Sequence, residues 1–454
     1  MFDGIIKWMK GVVNRMLGRD NIKRAIGTEP CITPIMIDRI SKWNDMMSGT
    51  AEWIDDDVKS LQLEQGICRE FANVCLTEME ATVSDKKLDE IFQTAIRDLN
   101  EGLQDGLGLG SFIIKPLGGN KSEFVNANSF IPIGFDDRKR LTKVAFIATK
   151  KVGDDNWYRK FEIHTLDEKG MTIENKVYHS TTESELGKEV DISAVEEWST
   201  IAPGPLTYQI DRPDFGYYRN PIPNKVDGSP CGVSIFESAM DLIKSADTQF
   251  GRLNWEFESG ERAINVDITA LQPIDVIGSG GKKRLEAPRL SKRLYRGLNL
   301  DQKDGELYKE FSPEFRDQSI INGFNAILRR IEFNVCLSYG DLSDVQDVSK
   351  TATEMKIAKV RKYNMVNAIE QNLKECLDDF VFALAFYNGM TNRKPELVCT
   401  FKDSILTDEE AERKQDMADM AAGIMRPEEY RAKWYGETVK EALKNLPEQA
   451  EVIE

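Results

Sequence analysis

Ser338-Tyr-Gly-Asp-Leu-Ser-Asp-Val-Gln-Asp-Val-Ser-Lys350 runs directly into Thr351-Ala-Thr-Glu354, and no glycine or proline follows until Gly389. The first segment has no apolar periodicity. Its Asp341, Asp344 and Asp347 are set against one base, Lys350. The second segment opens a helix as a capping box, in which the Thr351 hydroxyl accepts from the Glu354 amide and the Glu354 carboxylate accepts from the Thr351 amide. Met355, Ala358, Met365, Ile369, Leu373, Cys376 and Phe380 then recur near a 3.6 period, which predicts a helix from 351 to about 386. Such a helix is roughly 50 Å long, against a usual ~11–12 residues. A compact single-core enzyme seldom needs that length. A subunit that spans a distance does.

The 454 residues allow two to four domains or one elongated multi-part subunit. A hydrophobic content of 41% and a charged content of 30% fit a folded protein rather than a disordered one. The formal net charge of −16 argues against tight static binding of nucleic acid, because Lys and Arg supply most of that affinity. It is compatible with DNA that must slide past without sticking. The seven cysteines form no CxxC pair. Cys68, Cys75, Cys336 and Cys376 fall in apolar helical patterns, which points to free thiols in a reducing compartment. The first 18 residues are amphipathic and basic. Lys7 and Lys10 break their apolar run, so they read as an arm that docks on a neighbour, with a membrane-surface helix as the alternative. No stretch has the length of a transmembrane span.

Periodicity predicts helices over 33–48, 57–80 and 85–107, the last ending in Gly106-Leu-Gly-Leu-Gly110. From 111 to about 218 the period changes to two. Strands are expected at 111–117, 143–150, 157–165 and 171–179. A Pro/Gly-rich connector fills 213–231. A helix follows over about 234–258, short strands over 264–312, a second helix over about 314–337, and, after Pro395, one strand and a helical tail over 408–446.

Few residues offer catalytic chemistry. There are two histidines, His164 and His179, and both fall in predicted strands. Glu162 and His164 share a strand face but have no third ligand at useful spacing, so ordinary strand side chains explain them better than a metal. The Gly106–Gly110 run follows a helix, the wrong context for a dinucleotide fingerprint. Gly278-Ser-Gly-Gly-Lys-Lys283 lacks the phosphate-loop register. The spacing of Asp341, Asp344 and Asp347 does not match a calcium loop. No cofactor is expected. One basic cluster stands out: Lys282, Lys283, Arg284, Arg289, Lys292, Arg293 and Arg296, with Glu286 as its only acid. Contact with nucleic acid or an acidic partner is one reading, and a solvated loop is the other.

The order of helix, β-rich excursion, two helices, acidic loop and long helix resembles the portal proteins of tailed bacteriophages, in particular those of long-tailed phages of Gram-positive hosts. The likeness rests on four stretches. They are Pro221-Ile-Pro-Asn224 through Ser229-Pro-Cys-Gly-Val-Ser-Ile-Phe236; Ser238-Ala-Met-Asp-Leu-Ile-Lys-Ser-Ala-Asp247 with Trp255-Glu-Phe-Glu-Ser-Gly-Glu-Arg262; Lys350-Thr-Ala-Thr-Glu354; and Gly423-Ile-Met-Arg-Pro-Glu-Glu-Tyr-Arg-Ala-Lys-Trp-Tyr-Gly436. The resemblance implies an elongated α+β subunit in a ring, usually of twelve copies, at one capsid vertex. It implies a wing over 1–233, stem helices over 234–263 and 313–338, and a clip over 264–312. A tunnel loop over 339–350, a bridging helix over 351–388 and a crown over 389–454 complete the division.

On that likeness Asp341, Asp344, Asp347 and Lys350 line the channel constriction, and the Lys282–Arg296 cluster faces partners. Those partners are the terminase motor, head-completion or adaptor proteins, scaffold and major capsid protein, with double-stranded DNA passing unread through the channel. The protein is then expected in the host cytoplasm during assembly and in the virion afterwards, and it is not an enzyme. Two rival classes stand beside this reading: a scaffold or adaptor of a phage-like particle that never touches DNA, and a metal-dependent nuclease using scattered carboxylates.

Overall fold

A computed structural model describes residues 18–118, 120–153, 155–260, 263–267, 274–277, 283–286, 295–298, 308–311, 314, 316–344, 352–401, 409–435 and 437–446. The basic arm at the N-terminus lies outside them. Three helices come first, α1 (Arg19–Ile26), α2 (Pro34–Met47) and α3 (Leu63–Thr77). Thr33 caps α2 by accepting from the Met36 amide, and Pro34 takes the first helical position, where a missing N–H costs nothing. The helix expected over 57–80 is shorter at both ends. Asp55 accepts from the Asp57 and Val58 amides and so holds a turn. Met79 belongs to strand β1 (Met79–Val83).

Helices α4 (Lys86–Ala95) and α5 (Leu99–Leu109) replace the one helix expected over 85–107, with a short 3-10 turn between them. Gly110 ends α5 at φ 94°. A Cβ there would stand 2.4 Å from the Gly232 carbonyl oxygen, so both conformation and space call for glycine.

The β-rich region holds more strands than periodicity revealed. Strands β2 (Ser111–Gly118) and β3 (Lys121–Asn126) form a hairpin. Strands β4 (Phe130–Phe135), β5 (Leu141–Val152), β6 (Asn156–Asp167), β7 (Gly170–Ser180) and β8 (Lys188–Val190) follow in sheet order, all antiparallel, and β9 (Leu206–Tyr208) also pairs with β7. Strand β10 (Gly216–Arg219) joins β2.

Helix α6 (Met240–Ser259) then leads into five short strands, β11 (Ala263–Asp267), β12 (Ile274–Ile277), β13 (Lys283–Glu286), β14 (Tyr295–Leu298) and β15 (Tyr308–Phe311). Helix α7 (Asp317–Asn334) returns alongside α6. Phe250 and Phe324 meet at 6.2 Å between ring centroids, and Arg316 donates to Glu256 across the pair. The helix expected to 337 stops at Asn334, and Cys336 has φ 64°.

The long helix is α8 (Ala352–Tyr387), 36 residues and so roughly 54 Å. Val366, Ile369, Leu373, Cys376, Leu377, Phe380, Val381 and Leu384 are each at most 1% exposed. They pack against β10, β2, α3 and α4. At the tightest crossing a Cβ on Gly216 would stand 2.3 Å from the Cys376 carbonyl oxygen. Strand β16 (Leu397–Phe401) closes back on β1 with Met79 opposite Phe401. Helices α9 (Glu409–Ala421), α10 (Pro427–Tyr435) and α11 (Val439–Lys444) follow.

A buried ionic network joins the large sheet to the end of α8. His164 on β6 contacts Asp214 at 2.9 Å through Nδ1 and Glu162 at 3.0 Å through Nε2. Lys115 and Lys160 donate to Glu162, and the Tyr387 hydroxyl donates to Asp214. Burial opposes charge on His164, but Asp214 and Glu162 outweigh it and raise its pKa to about 9. The same contacts hold both carboxylates below their usual range. This histidine is an interior cation held by two carboxylates, where the sequence led us to expect only an ordinary strand side chain. A raised folded-state pKa contributes stability that is full below the unfolded value near 6.5 and is lost as pH rises through about 9. Thermal unfolding of the wild type and of His164→Gln should therefore show a melting-temperature gap that narrows steadily from pH 7 to pH 10. A gap independent of pH would rule out the charged histidine.

Candidate functional site

The acidic segment starts on a rigid base set between α7 and α8. Glu332, on the buried face of α7, is 0% exposed. Its Oε1 accepts from the amides of Gly340, Leu342 and Ser343 at 3.0, 2.7 and 2.8 Å, and its Oε2 accepts from the Ser343 hydroxyl at 3.0 Å. Four donors replace the water that burial removes, so the carboxylate needs no cation. Gly340 has φ 100°, and this turn wraps its amides around one acceptor. Asn325 reinforces it, accepting from the Asp344 amide and donating to the Asp344 carboxylate.

Helix α8 supplies the other wall. Lys362 donates to Asp341 at 3.0 Å and to Glu70 of α3 at 2.6 Å. Burial works against the charge of Lys362, yet these two carboxylates prevail and raise its pKa. Asp341 also accepts from the Ser338 amide. One residue earlier Arg361 lies over the rings of Phe333 and Tyr339, 4.7 and 5.0 Å from their centroids. The turn is thus fastened to α7 and α8, and through Lys362 to α3, before the chain reaches residue 345.

The expected site residues divide accordingly. Asp341 and Asp344 come together here as half-engaged anchors, each with a partner in its own chain. Asp347, Lys350 and Thr351 lie outside the described residues, as does the side chain of Glu354, although α8 begins at Ala352, where a Thr351 cap would place it. Lys283 and Arg284 fall on β13 and Arg296 on β14. Lys282, Arg289, Lys292 and Arg293 lie outside the described residues. Sequence reading missed Asn325, Glu332 and Lys362. Their signal was present: Asn325, Leu328 and Glu332 share one helical face, and polar residues on an otherwise apolar stripe need a partner.

No group of three His, Cys, Asp or Glu side chains among the described residues is placed to hold a metal. No described helix is long and apolar enough to cross a membrane. The thiols of Cys68 and Cys376 are buried and pushed well up by that burial, which makes them inert packing groups.

Residues 98–453 match the family model described as phage portal protein, SPP1 Gp6-like. The chain belongs to that family. It is a phage portal protein that serves in genome packaging, a component of the virion. No curated protein matches it. The α+β architecture agrees with the family, and the match covers α6, α7, the acidic turn and α8.

Replacing Glu332 by Gln in the portal protein should cost about 2 kcal/mol, since hydrogen bonds to a charged acceptor outweigh neutral ones. Amide exchange at Gly340, Leu342 and Ser343 should accelerate well beyond that of α7 itself. Unchanged protection would show that the carboxylate does not hold the turn.

Proposed function

We propose that the chain builds a ring of about twelve copies around a channel for double-stranded DNA, with the acidic segment 339–350 at its constriction. The observation that supports this most is the fastening of residues 338–344 to α7 and α8, and through Lys362 to α3. A segment meant to touch a moving polymer needs a base that does not yield, and rigid elements place such groups better than loops do. Negative charge beyond that base limits phosphate adhesion, because each neutralised phosphate would act as a stop. Contact by shape alone passes any sequence.

In this reading 1–233 form the wing, α6 and α7 the stem, 264–312 the clip, α8 the bridging helix and 389–454 the crown. The antiparallel pairing of α6 and α7, with five short strands between them, is the pattern such a division needs. The Lys282–Arg296 cluster then faces the terminase motor during packaging and head-completion proteins afterwards, while scaffold and major capsid protein hold the wing. Energy for translocation comes from the separate motor. The chain is not an enzyme and uses no cofactor. Assembly takes place in the host cytoplasm.

Two experiments test these roles. Replacing Asp347, which follows the Asp341 and Asp344 anchors, by Asn should leave rings intact in negative-stain images and lower retained DNA per particle severalfold. Full packaging and retention would remove the constriction role. Reversing Arg289, Lys292 and Arg293 to Glu should weaken docking of purified terminase or head-completion protein on the order of tenfold. Undiminished docking would return the cluster to a solvated loop.

A further inference from the structure

The large sheet carries opposite charge at diagonally opposed corners. One corner is the tip between β4 and β5, where Arg138, Lys139 and Arg140 are exposed. The tip is rigid: Asp136 accepts from the amides of Arg138 and Arg140, and its own amide donates to the Arg140 carbonyl. Lys139 sits at φ 63°. Beneath the tip a cleft of about 380 Å³ opens toward α8. There Arg212 is taken up by Asp378 and Asp379 at 2.7 and 2.5 Å, and Arg140 adds its charge to Asp379. Asp137 is the one other acid of the tip. Arg138 and Lys139 make no side-chain hydrogen bond or ion pair among the described residues.

The other corner lies beyond β7. Glu183, Glu185, Glu189, Asp191, Glu196 and Glu197 are all exposed there, with Lys188 as the only base in 181–199. This corner is also built rather than loose. Arg159, 2% exposed, donates to the carbonyls of Glu183 and Glu185, and Arg24 donates to the Gly187 carbonyl. A separate small core of Val177, Ile192, Val195 and Trp198 supports it from below. Glu197 pairs with Lys150, and Glu189 is near Tyr178. Glu185 and Glu196 have no side-chain partner among the described residues. A buried guanidinium is thus used to hold a loop whose glutamates point away from the body.

Strand register separates the two corners. Lys143 lies opposite Thr165 and Asp167 opposite Gly170, so the basic tip shares its end of the sheet with the β6–β7 turn. Strand β8 pairs with Val177–His179, at the other end and the other edge. Two different patches on opposite sides of a subunit make a head-to-tail contact, and such contacts close into rings when the rotation per step allows. Subunits carrying −16 each repel one another, so a ring of them gains from contacts of opposed sign that orient the encounter.

We propose that the β4–β5 tip of one copy docks on the Glu185–Glu196 corner of the next, which makes these corners a charged seam between neighbouring subunits. The proposal rests on the ring reading above and names the surface that reading leaves open. Two variants test it, Arg138→Glu with Lys139→Glu, and Glu185→Lys with Glu196→Lys. All four positions are exposed, so both variants should melt as the wild type does. Mass photometry at fixed concentration should show the assembled fraction of each alone reduced on the order of tenfold. A 1:1 mixture should restore rings, because the acidic tip of the first variant then meets a corner whose excess acid is nearly cancelled, while the unchanged tip of the second meets the unchanged corner of the first. A single chain carrying all four changes should also assemble.

Rings formed by either variant alone at the wild-type level would overturn the seam. So would a mixture that stays unassembled while both variants keep the wild-type melting temperature. Should a variant melt lower, Arg138→Gln with Lys139→Gly removes the same charges and suits the tip backbone better, and undiminished assembly of that chain would be equally decisive. A wild type that forms no rings at all would instead overturn the ring reading itself.

Discussion

Burial of the C-terminal half of α8 sets the position of everything else. Eight large side chains between Val366 and Leu384 lose nearly all contact with water, each worth about 2 kcal/mol on burial. Exposed ion pairs contribute at most about 1 kcal/mol apiece. Apolar packing therefore decides where the helix lies, and charge decides only what is hung from it. The helix can pass so close to β10 because Gly216 has no side chain to hold the two backbones apart.

Buried polar groups in this protein fasten turns and strands. Glu332 gathers three amides and a hydroxyl, Arg159 gathers two carbonyls, and His164 bridges two carboxylates. Each group is buried and bonded to partners that lie from two to 50 residues along the chain, with the Nε of Arg159 alone left without one. Groups of this kind favour one arrangement strongly, because any alternative leaves a desolvated charge without a partner.

Legibility in the sequence followed the range of the interactions. The long helix was readable because its apolar stripe and the absence of breakers are local facts. Strands β5, β6 and β7 were readable from alternation and the turn residues between them. Strand β1 was not, because Met79–Val83 continues the apolar pattern of α3 and its partner lies at Leu397–Phe401. The break between α4 and α5 was hidden for a similar reason: residues 96–98 remain helical in pattern while the hydrogen bonding tightens to a 3-10 turn. The described part of the acidic segment, 338–344, is a turn whose aspartates looked free when only Lys350 was counted against them. Lys362 and Asn325 stand a dozen or more residues away in either direction, and only folding brings them to Asp341 and Asp344.

The pairing of β1 with β16 has a consequence for the nascent chain. The first strand leaves the ribosome roughly 300 residues before its partner, which at ~5–20 residues per second is a delay of about 15 to 60 seconds. Through that interval β1 has no β-strand to pair with, and open strand edges invite pairing with other chains. Glu80, its second residue, adds charge to such an edge. Closure of the body around α8 is therefore a late event in synthesis, completed only when residues 397–401 arrive.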